Sequence, residues 1–371
     1  MIHVVIVGAL PESLVNFRGE LIRTLIASGH RVTAMAAAAS LEHVKAIEIL
    51  GANFMSYPVS RNGMNPLRDI QTIIALCRLF YRIKPDIVLA YTIKPVVWGG
   101  LAAFVTQVPS FYALIEGLGY MFQGGRWLAA TVAKALYRLS LLRSRKVIFL
   151  NPDNKFYFLS RNIIKEHKAA LIDGIGLDLD WYKSTKLPEG APVFLCIARL
   201  LGEKGLREYV AAAYQVKVRY PEAVFNLLGP LDPSPDGIPI KVVDAWIGEG
   251  KIQYLGEARD VRPLIENCHV YVLPSYHEGM PRTVLEAMAI GRPILTTDVP
   301  GCRETVVQGE NGYLVPKKNV GALYERMIWF IENRDQWERM GQVSRRMAEN
   351  RFDVHKINAE LLRLMDLSGK H

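Results

Sequence analysis

Short apolar runs and amphipathic stretches take turns along this chain. His3–Val7 is a continuous β-branched run, Gly8 opens a loop, and Phe17–Ser28 repeats its apolar positions at helical spacing. Gly29 ends that helix and Arg31–Met35 resumes a strand. Ile87–Tyr91, Ser110–Ile115 and Lys146–Leu150 read as further strands between helical stretches. A second series follows the Pro- and Gly-rich segment Leu187–Pro192, with strands at Val193–Ala198, Val224–Leu228, Ile252–Leu255, Val270–Pro274 and Ile294–Thr297. Short strands that are apolar on both faces and alternate with helices predict parallel sheets covered on both sides. The pattern therefore predicts an α/β protein of two doubly wound, Rossmann-like halves, residues 1–172 and 173–350, with a helix of about 350–371 free to pack back on the first. Ligands of such folds sit at the carboxyl ends of the strands, here expected in a cleft between the halves.

Composition narrows the class. At 371 residues, half of them apolar and 22% charged, the chain is neither disordered nor fibrous. Cys77, Cys196, Cys268 and Cys302 lie far apart without metal-ligand spacing, which suits buried thiols in a reducing compartment. Met1–Leu10 has no cationic start, and no uncharged apolar run reaches the ~18 residues of a membrane span, so a cytoplasmic, non-spanning protein is expected. The net charge of +9 is uneven: residues 1–172 carry 20 Lys and Arg against 9 Asp and Glu, the remainder 25 against 27. Between Ile87 and Pro152, Glu116 is the single acid against seven bases. Such asymmetry predicts an anionic partner for the first half, a membrane surface or a nucleic acid. A recognition motif for nucleic acid is missing, which favours the membrane.

Two segments carry chemistry. Arg199-Leu-Leu-Gly-Glu-Lys204-Gly205 joins a strand end to a helix starting near Leu206. A glycine turn before a helix N-terminus is a ready anion site, and two added cations suffice for a diphosphate without a metal. Taken alone, the segment also fits an ordinary pair of surface cations at a turn. Ser275-Tyr-His-Glu278-Gly279-Met280-Pro281-Arg282-Thr283-Val-Leu-Glu286-Ala follows the strand Val270–Pro274, with Pro281 as a first-turn residue. Glu278 then precedes the helix and Glu286 lies two turns along, about 12 Å away by rise alone. One can reach the sugar and the other the ribose of a nucleotide-sugar.

Together the R-x4-K and E-x7-E segments resemble the retaining glycosyltransferases of family 4, which have the GT-B fold. The likeness runs from Val4 to about Leu362. It includes Asn16-Phe17-Arg18, Tyr91-Thr-Ile-Lys94-Pro95, Glu116-Gly-Leu-Gly119 and Asp298-Val-Pro-Gly301-Cys302-Arg303-Glu304, and it is greatest to the capsular-polysaccharide branch. The resemblance implies transfer of a sugar, N-acetylgalactosamine before others, from a UDP-sugar to a saccharide on undecaprenyl diphosphate. The enzyme would be metal-independent, without cofactor, and peripheral on the inner face of a bacterial inner membrane. Arg199 and Lys204 would hold the diphosphate, Glu286 the ribose, and Glu278 the donor sugar. Gly279, Met280, Pro281, Arg282, Thr283 and Gly8 would line the donor, and Asn16, Arg18 and Lys94 the acceptor side. Much of this branch has histidine where this chain has Glu116, so Glu116 would bind a sugar hydroxyl, help take the acceptor proton, or only shape its glycine loop.

Three further features are weighed. Asp178-Leu-Asp180 is a D-x-D, a metal motif in another glycosyltransferase fold, but its place near the domain crossover suits a polar turn. Arg126–Lys146 interleaves Arg126, Lys134, Arg138 and Arg145 with Trp127 and leucines. Read as one helix it places Lys134, Arg138 and Arg145 within about 40°, a basic face for an anionic bilayer or simply for solvent. Other functions compete: a UDP-N-acetylhexosamine 2-epimerase of the same fold, a non-catalytic membrane-bound scaffold, and a nucleotide-dependent oxidoreductase. The last is weakened because the turn after Gly8 lacks G-x-G-x-x-G.

Overall fold

The computed structural model describes residues 1–60, 65–117 and 127–368. They form two compact units, Met1–Ile175 together with the chain from His355 onward, and Gly176–Val354.

The first unit is built on seven parallel strands: β1 (His3–Val7), β2 (Arg31–Ala36), β3 (Asn53–Ser56), β4 (Ile87–Tyr91), β5 (Ser110–Ile115), β6 (Ser144–Phe149) and β7 (Ala169–Leu171). Their order is β3-β2-β1-β4-β5-β6-β7. The connecting helices are α1 (Pro11–Ala27), α2 (Leu41–Ile49), α3 (Pro66–Ile83), α4 (Ile93–Val105), α5 (Trp127–Ser140) and α6 (Pro152–Ser160). Every residue of β1 and β4 is buried, as strands with helices on both faces require. Tyr137, Phe149 and Phe158 close the core between α5, β6 and α6 with edge-to-face ring contacts.

The second unit repeats the plan with six parallel strands in the order β10-β9-β8-β11-β12-β13. These are β8 (Val193–Ile197), β9 (Val224–Leu228), β10 (Gln253–Tyr254), β11 (Val270–Leu273), β12 (Ile294–Thr297) and β13 (Gly312–Val315). Its helices are α7 (Leu206–Arg219), α8 (Ile240–Gly248), α9 (Arg262–Glu266), α10 (Arg282–Ile290), α11 (Val320–Glu332) and α12 (Trp337–Arg351), and α13 (Val354–Leu364) returns the chain to the first unit. Stacked Phe194 and Phe225 rings, 5.0 Å apart, centre the core. Arg292 is fully buried yet satisfied: its guanidinium donates to the carbonyls of Ile265, Glu266, Thr185 and Lys186.

The central strands fall where the apolar runs predict them. The edge strands β3, β7 and β13 do not announce themselves, because each is only three or four residues long and partly exposed. Helix α1 starts at Pro11, not at Phe17. Proline lacks the N–H that a first helical turn leaves unpaired, and its fixed φ suits that position, so the helix begins before its apolar spacing shows.

One glycine locks the loop after β8 against the next strand. Gly205 has φ +68°, and a Cβ there would lie 2.0 Å from the Pro274 carbonyl oxygen at the end of β11. Both the conformation and the space demand glycine. Gly205→Ala should lower stability by roughly 2–4 kcal/mol. Chemical denaturation measures this, and an unchanged midpoint would refute the packing described.

Candidate functional site

In each sheet the strand order reverses between two central neighbours, which leaves diverging loops at their carboxyl ends. The reversal lies between β1 and β4 in the first unit and between β8 and β11 in the second. The residues expected on the donor and acceptor sides lie at or beside these two places.

In the second unit, Arg199 follows β8 and a single turn, Gly202–Lys204, leads to Gly205 and α7. Asp236 holds this turn by accepting from the Glu203 amide at 2.7 Å. The loop after β11 brings Glu278 to Lys204, with Nζ–Oε1 at 2.6 Å and both side chains 15% exposed. Ser275 Oγ donates to the same oxygen at 2.6 Å, and the Glu278 amide donates to the Pro300 carbonyl. Gly301, at φ +86°, lets that segment approach, since a Cβ there would lie 2.6 Å from the Glu278 carbonyl. Arg199 pairs with Asp232 at 2.5 Å while remaining 37% exposed. Both cations are therefore held in place by carboxylates at the entrance to α7.

Helix α10 begins at Arg282, with Pro281 as its N-cap. Helical spacing thus governs Glu286 but not Glu278, which sits in the loop before it. Glu286 is 5% exposed and accepts from the Tyr182 hydroxyl at 2.8 Å and from Arg282 Nε at 2.9 Å. Burial, reinforced by Glu286, pushes the Tyr182 phenol well up, so it remains a donor. Thr283 Oγ1 donates to the Ile197 carbonyl at the end of β8, and Met280 is buried. Tyr182 and Asp232 were not legible as functional partners, because each acts across long sequence separation and neither carries a motif.

In the first unit, Gly8 ends β1 and Tyr91 ends β4. A Cβ on Gly8 would lie 2.3 Å from the Tyr91 hydroxyl, so glycine makes room for that ring. Tyr91 shares a hydrogen bond with Ser13 Oγ at 2.7 Å. Arg18 lies over the Tyr91 ring at 4.5 Å and pairs with Glu116, which follows β5. Arg18 is 2% exposed, so its guanidinium is directed inward and not to solvent, whereas Asn16 is exposed. Lys94, in the first turn of α4, pairs with Asp69 at 2.9 Å.

The basic helix expected over Arg126–Lys146 needs correction. Helix α5 stops at Ser140, and Arg145 and Lys146 belong to β6, where pairing with β5 fixes extended backbone. Arg145 therefore does not share a helical face with Lys134 and Arg138. Arg138 donates to the Arg161 and Asn162 carbonyls, each at 2.9 Å. Arg126 lies outside the described residues, as does the Trp127 side chain. An outward apolar stripe that sequence reading missed lies instead on α3. Leu67, Ile70, Ile74 and Tyr81 are 73%, 51%, 45% and 77% exposed beside Arg68, Arg78 and Arg82. Helix α3 packs on α4, and α4 on α5, whose Val132 and Leu139 are also exposed, as is Leu142 in the turn after it.

Asp178 accepts from the Asp180 and Trp181 amides, a local turn rather than a ligand pair. Among the described residues, no group of three His, Cys, Asp or Glu is placed to hold a metal ion. No helix among them is long and apolar enough to cross a membrane.

Two parallel-sheet units, each with a polar cluster at its switch point, define the GT-B class. Residues 179–347 match the family model "Glycosyl transferases group 1", and residues 14–151 match "Glycosyl transferase 4-like". The chain is 30% identical over 310 residues to the N,N'-diacetylbacillosaminyl-diphospho-undecaprenol alpha-1,3-N-acetylgalactosaminyltransferase of Campylobacter jejuni, covering 79% of this chain and 80% of that one. It is 24% identical over 305 residues to the capsular polysaccharide biosynthesis glycosyltransferase CapM of Staphylococcus aureus, covering 79% and 80%. Among solved structures, Anabaena HepE in complex with UDP and glucose has a TM-score of 0.81 at 18% identity, covering 99% and 100%. The chain belongs to the group 1, family 4 glycosyltransferases and is a glycosyltransferase of GT-B fold.

The Asp232–Arg199 pair has a pH signature. Burial pushes the Asp232 carboxyl up, but hydrogen bonds from Ser234 and Arg199, with the Arg199 charge, outweigh it and hold the group below its ordinary 3.8. A depressed carboxyl lends stability above its unfolded value and loses it as pH falls through its folded value. Asp232→Asn should therefore cost roughly 0.5–1 kcal/mol at neutral pH, allowing for the exposed arginine. That deficit should shrink as pH falls through and below the ordinary value, and denaturation curves showing a pH-independent deficit would refute the pair.

Proposed function

We propose that this glycosyltransferase moves a sugar, with retention and without a metal, from a UDP-sugar to a saccharide carried on undecaprenyl diphosphate. N-acetylgalactosamine is the first candidate sugar, on the strength of the Campylobacter relative's name. The observation that carries the reading is the pair Arg199 and Lys204 at the entrance to α7, backed by Glu278 and Glu286 around α10. Two cations and a helix N-terminus suit a departing diphosphate, where negative charge grows in the transition state. Both cations rest on carboxylates, and a diphosphate outcompetes these by bringing more charge.

The roles follow from the positions. Arg199 and Lys204 neutralise the leaving UDP. Glu286, oriented by Tyr182 and Arg282, accepts from the ribose hydroxyls. Glu278 accepts from the donor sugar, with Gly279, Met280, Pro281 and Thr283 beside it, and Gly8 in the first unit is a further donor-lining candidate. Glu116 receives a saccharide hydroxyl, and Asn16 and Lys94 lie on the acceptor side. The bond from the anomeric carbon to the diphosphate breaks as the acceptor hydroxyl bonds to that carbon on the same face. The hydroxyl's proton passes to the departing diphosphate oxygen, so no carboxylate nucleophile is required.

Lys204→Ala, Arg199→Ala and Glu286→Ala should each lower transfer by about 100-fold or more while leaving the unfolding transition cooperative. A thermal-shift panel with UDP, GDP, UDP-GalNAc, UDP-GlcNAc and UDP-glucose, with and without magnesium, tests the donor. Stabilisation by UDP and one UDP-sugar, indifferent to magnesium, is expected. Wild-type rates in the variants, or no response to uridine nucleotides, would overturn the reading.

A lipid-linked acceptor calls for an enzyme at a membrane surface. The reading is supported by the apolar stripe of α3 among its arginines, and by exposed Val132 and Leu139 on α5 with Lys134 and Arg138. Flotation with vesicles containing anionic phosphatidylglycerol should exceed flotation with neutral phosphatidylcholine. Ile70→Ser with Ile74→Ser should reduce it about tenfold, since each buried aliphatic side chain contributes roughly 1.5–3 kcal/mol at full burial. Equal flotation with both lipids, or none, would contradict membrane contact through this face.

A further inference from the structure

We propose that Arg18 is a positioning residue for Glu116, and that the two act as one unit in receiving a saccharide hydroxyl. This rests on the role given to Glu116 above and adds what fixes that carboxylate in place. Arg18 cannot itself meet a substrate, because it is 2% exposed. Its Nη1 donates to the Phe17 carbonyl at 3.0 Å and its Nη2 to Glu116 Oε1, while its plane rests on the Tyr91 ring. Glu116 is a quarter exposed at the carboxyl end of β5, so it is the member of the pair that a ligand reaches.

The support behind Arg18 is continuous. Tyr91 ends β4, its hydroxyl is fixed by Ser13 in the first turn of α1, and Gly8 leaves the space that the ring occupies. Helix α1, β1, β4 and β5 thus converge on one carboxylate at the switch point of the first sheet. Stability alone is a poor reason for the arrangement. A buried ion pair roughly breaks even against apolar residues of equal volume, since desolvation offsets its attraction. Arg18 Nε, moreover, is buried without a hydrogen-bond partner, a cost that packing does not require. A charge spent on holding Glu116 at the surface in one orientation accounts for both.

A double-mutant cycle on the full-length protein tests the proposal. It uses Glu116→Gln, Arg18→Met and the two combined, with Arg18→Lys as a charge-keeping single variant, assayed with the UDP-sugar and the lipid-linked acceptor. Lysine keeps the charge but not the planar fork that aligns a carboxylate. The double variant leaves no unpaired buried charge, so it folds even if a single change at Arg18 does not. Glu116→Gln and Arg18→Lys should each lower kcat/KM for the acceptor at least tenfold and leave UDP affinity and donor KM unchanged. The double variant should stay within threefold of Glu116→Gln alone, because Arg18 has nothing left to position. Penalties that multiply, a wild-type rate for Arg18→Lys, or a loss confined to donor KM would overturn the proposal. A wild type that turns over none of the offered acceptors refutes the substrate reading instead. The same cycle, read as UDP release from the donor to water, then decides the coupling.

Discussion

The reversal of strand order at the centre of each parallel sheet is the constraint on which the rest depends. Where successive strands are laid down in opposite directions across a sheet, their outgoing loops part and leave a crevice that no side chain of the core fills. In the second unit those loops follow β8 and β11, and they carry Arg199, Lys204 and Glu278. Backbone contacts between the two loops, from the Tyr276 amide to the Glu203 carbonyl and around Gly205 and Pro274, set the distance between cation and carboxylate. The chemistry is therefore held by main chain as much as by side chains.

Charge is stored in pairs throughout. Lys204 rests on Glu278, Arg199 on Asp232, Arg282 on Glu286, and Arg18 on Glu116. Pairing solves the problem of keeping cations half-buried without a ligand, because an unpaired charge at such depth costs several kcal/mol. It also keeps each side chain in one orientation, so a diphosphate bound as proposed would meet donors already aimed. The depth of burial differs in a useful way. Arg199 and Glu116 remain open enough to exchange partners, whereas Arg18 is close to sealed.

Much of this was legible in the chain. Central strands buried on both faces leave apolar runs such as Ile87–Tyr91 and Val224–Leu228, whose limits the structure reproduces residue for residue. The edge strands β3, β7 and β13 do not, because each is three or four residues long and only partly buried. Of the R-x4-K and E-x7-E segments, Lys204 and Glu278 meet, while the helical spacing read between Glu278 and Glu286 does not hold because α10 begins only at Arg282. Their partners Tyr182 and Asp232 were invisible, since contacts across 104 and 33 residues follow from topology and leave no local pattern. The stretch Arg126–Lys146 misled for a related reason. Its periodicity is helical through Ser140, but Arg145 answers to the ladder with β5 and not to the helix before it. The apolar stripe of α3 went unnoticed because an amphipathic helix shows two faces, and sequence alone does not say which one the sheet covers.

Calorimetric titration of UDP and of uridine into the intact chain tests most directly whether Arg199 and Lys204 form a diphosphate site. UDP should bind at least about 100-fold more tightly than uridine, a difference of roughly 2.7 kcal/mol assigned to the phosphates. Most of that difference should disappear in Lys204→Ala and weaken with added salt. Equal affinities for UDP and uridine, or a UDP affinity indifferent to Lys204, would contradict the site.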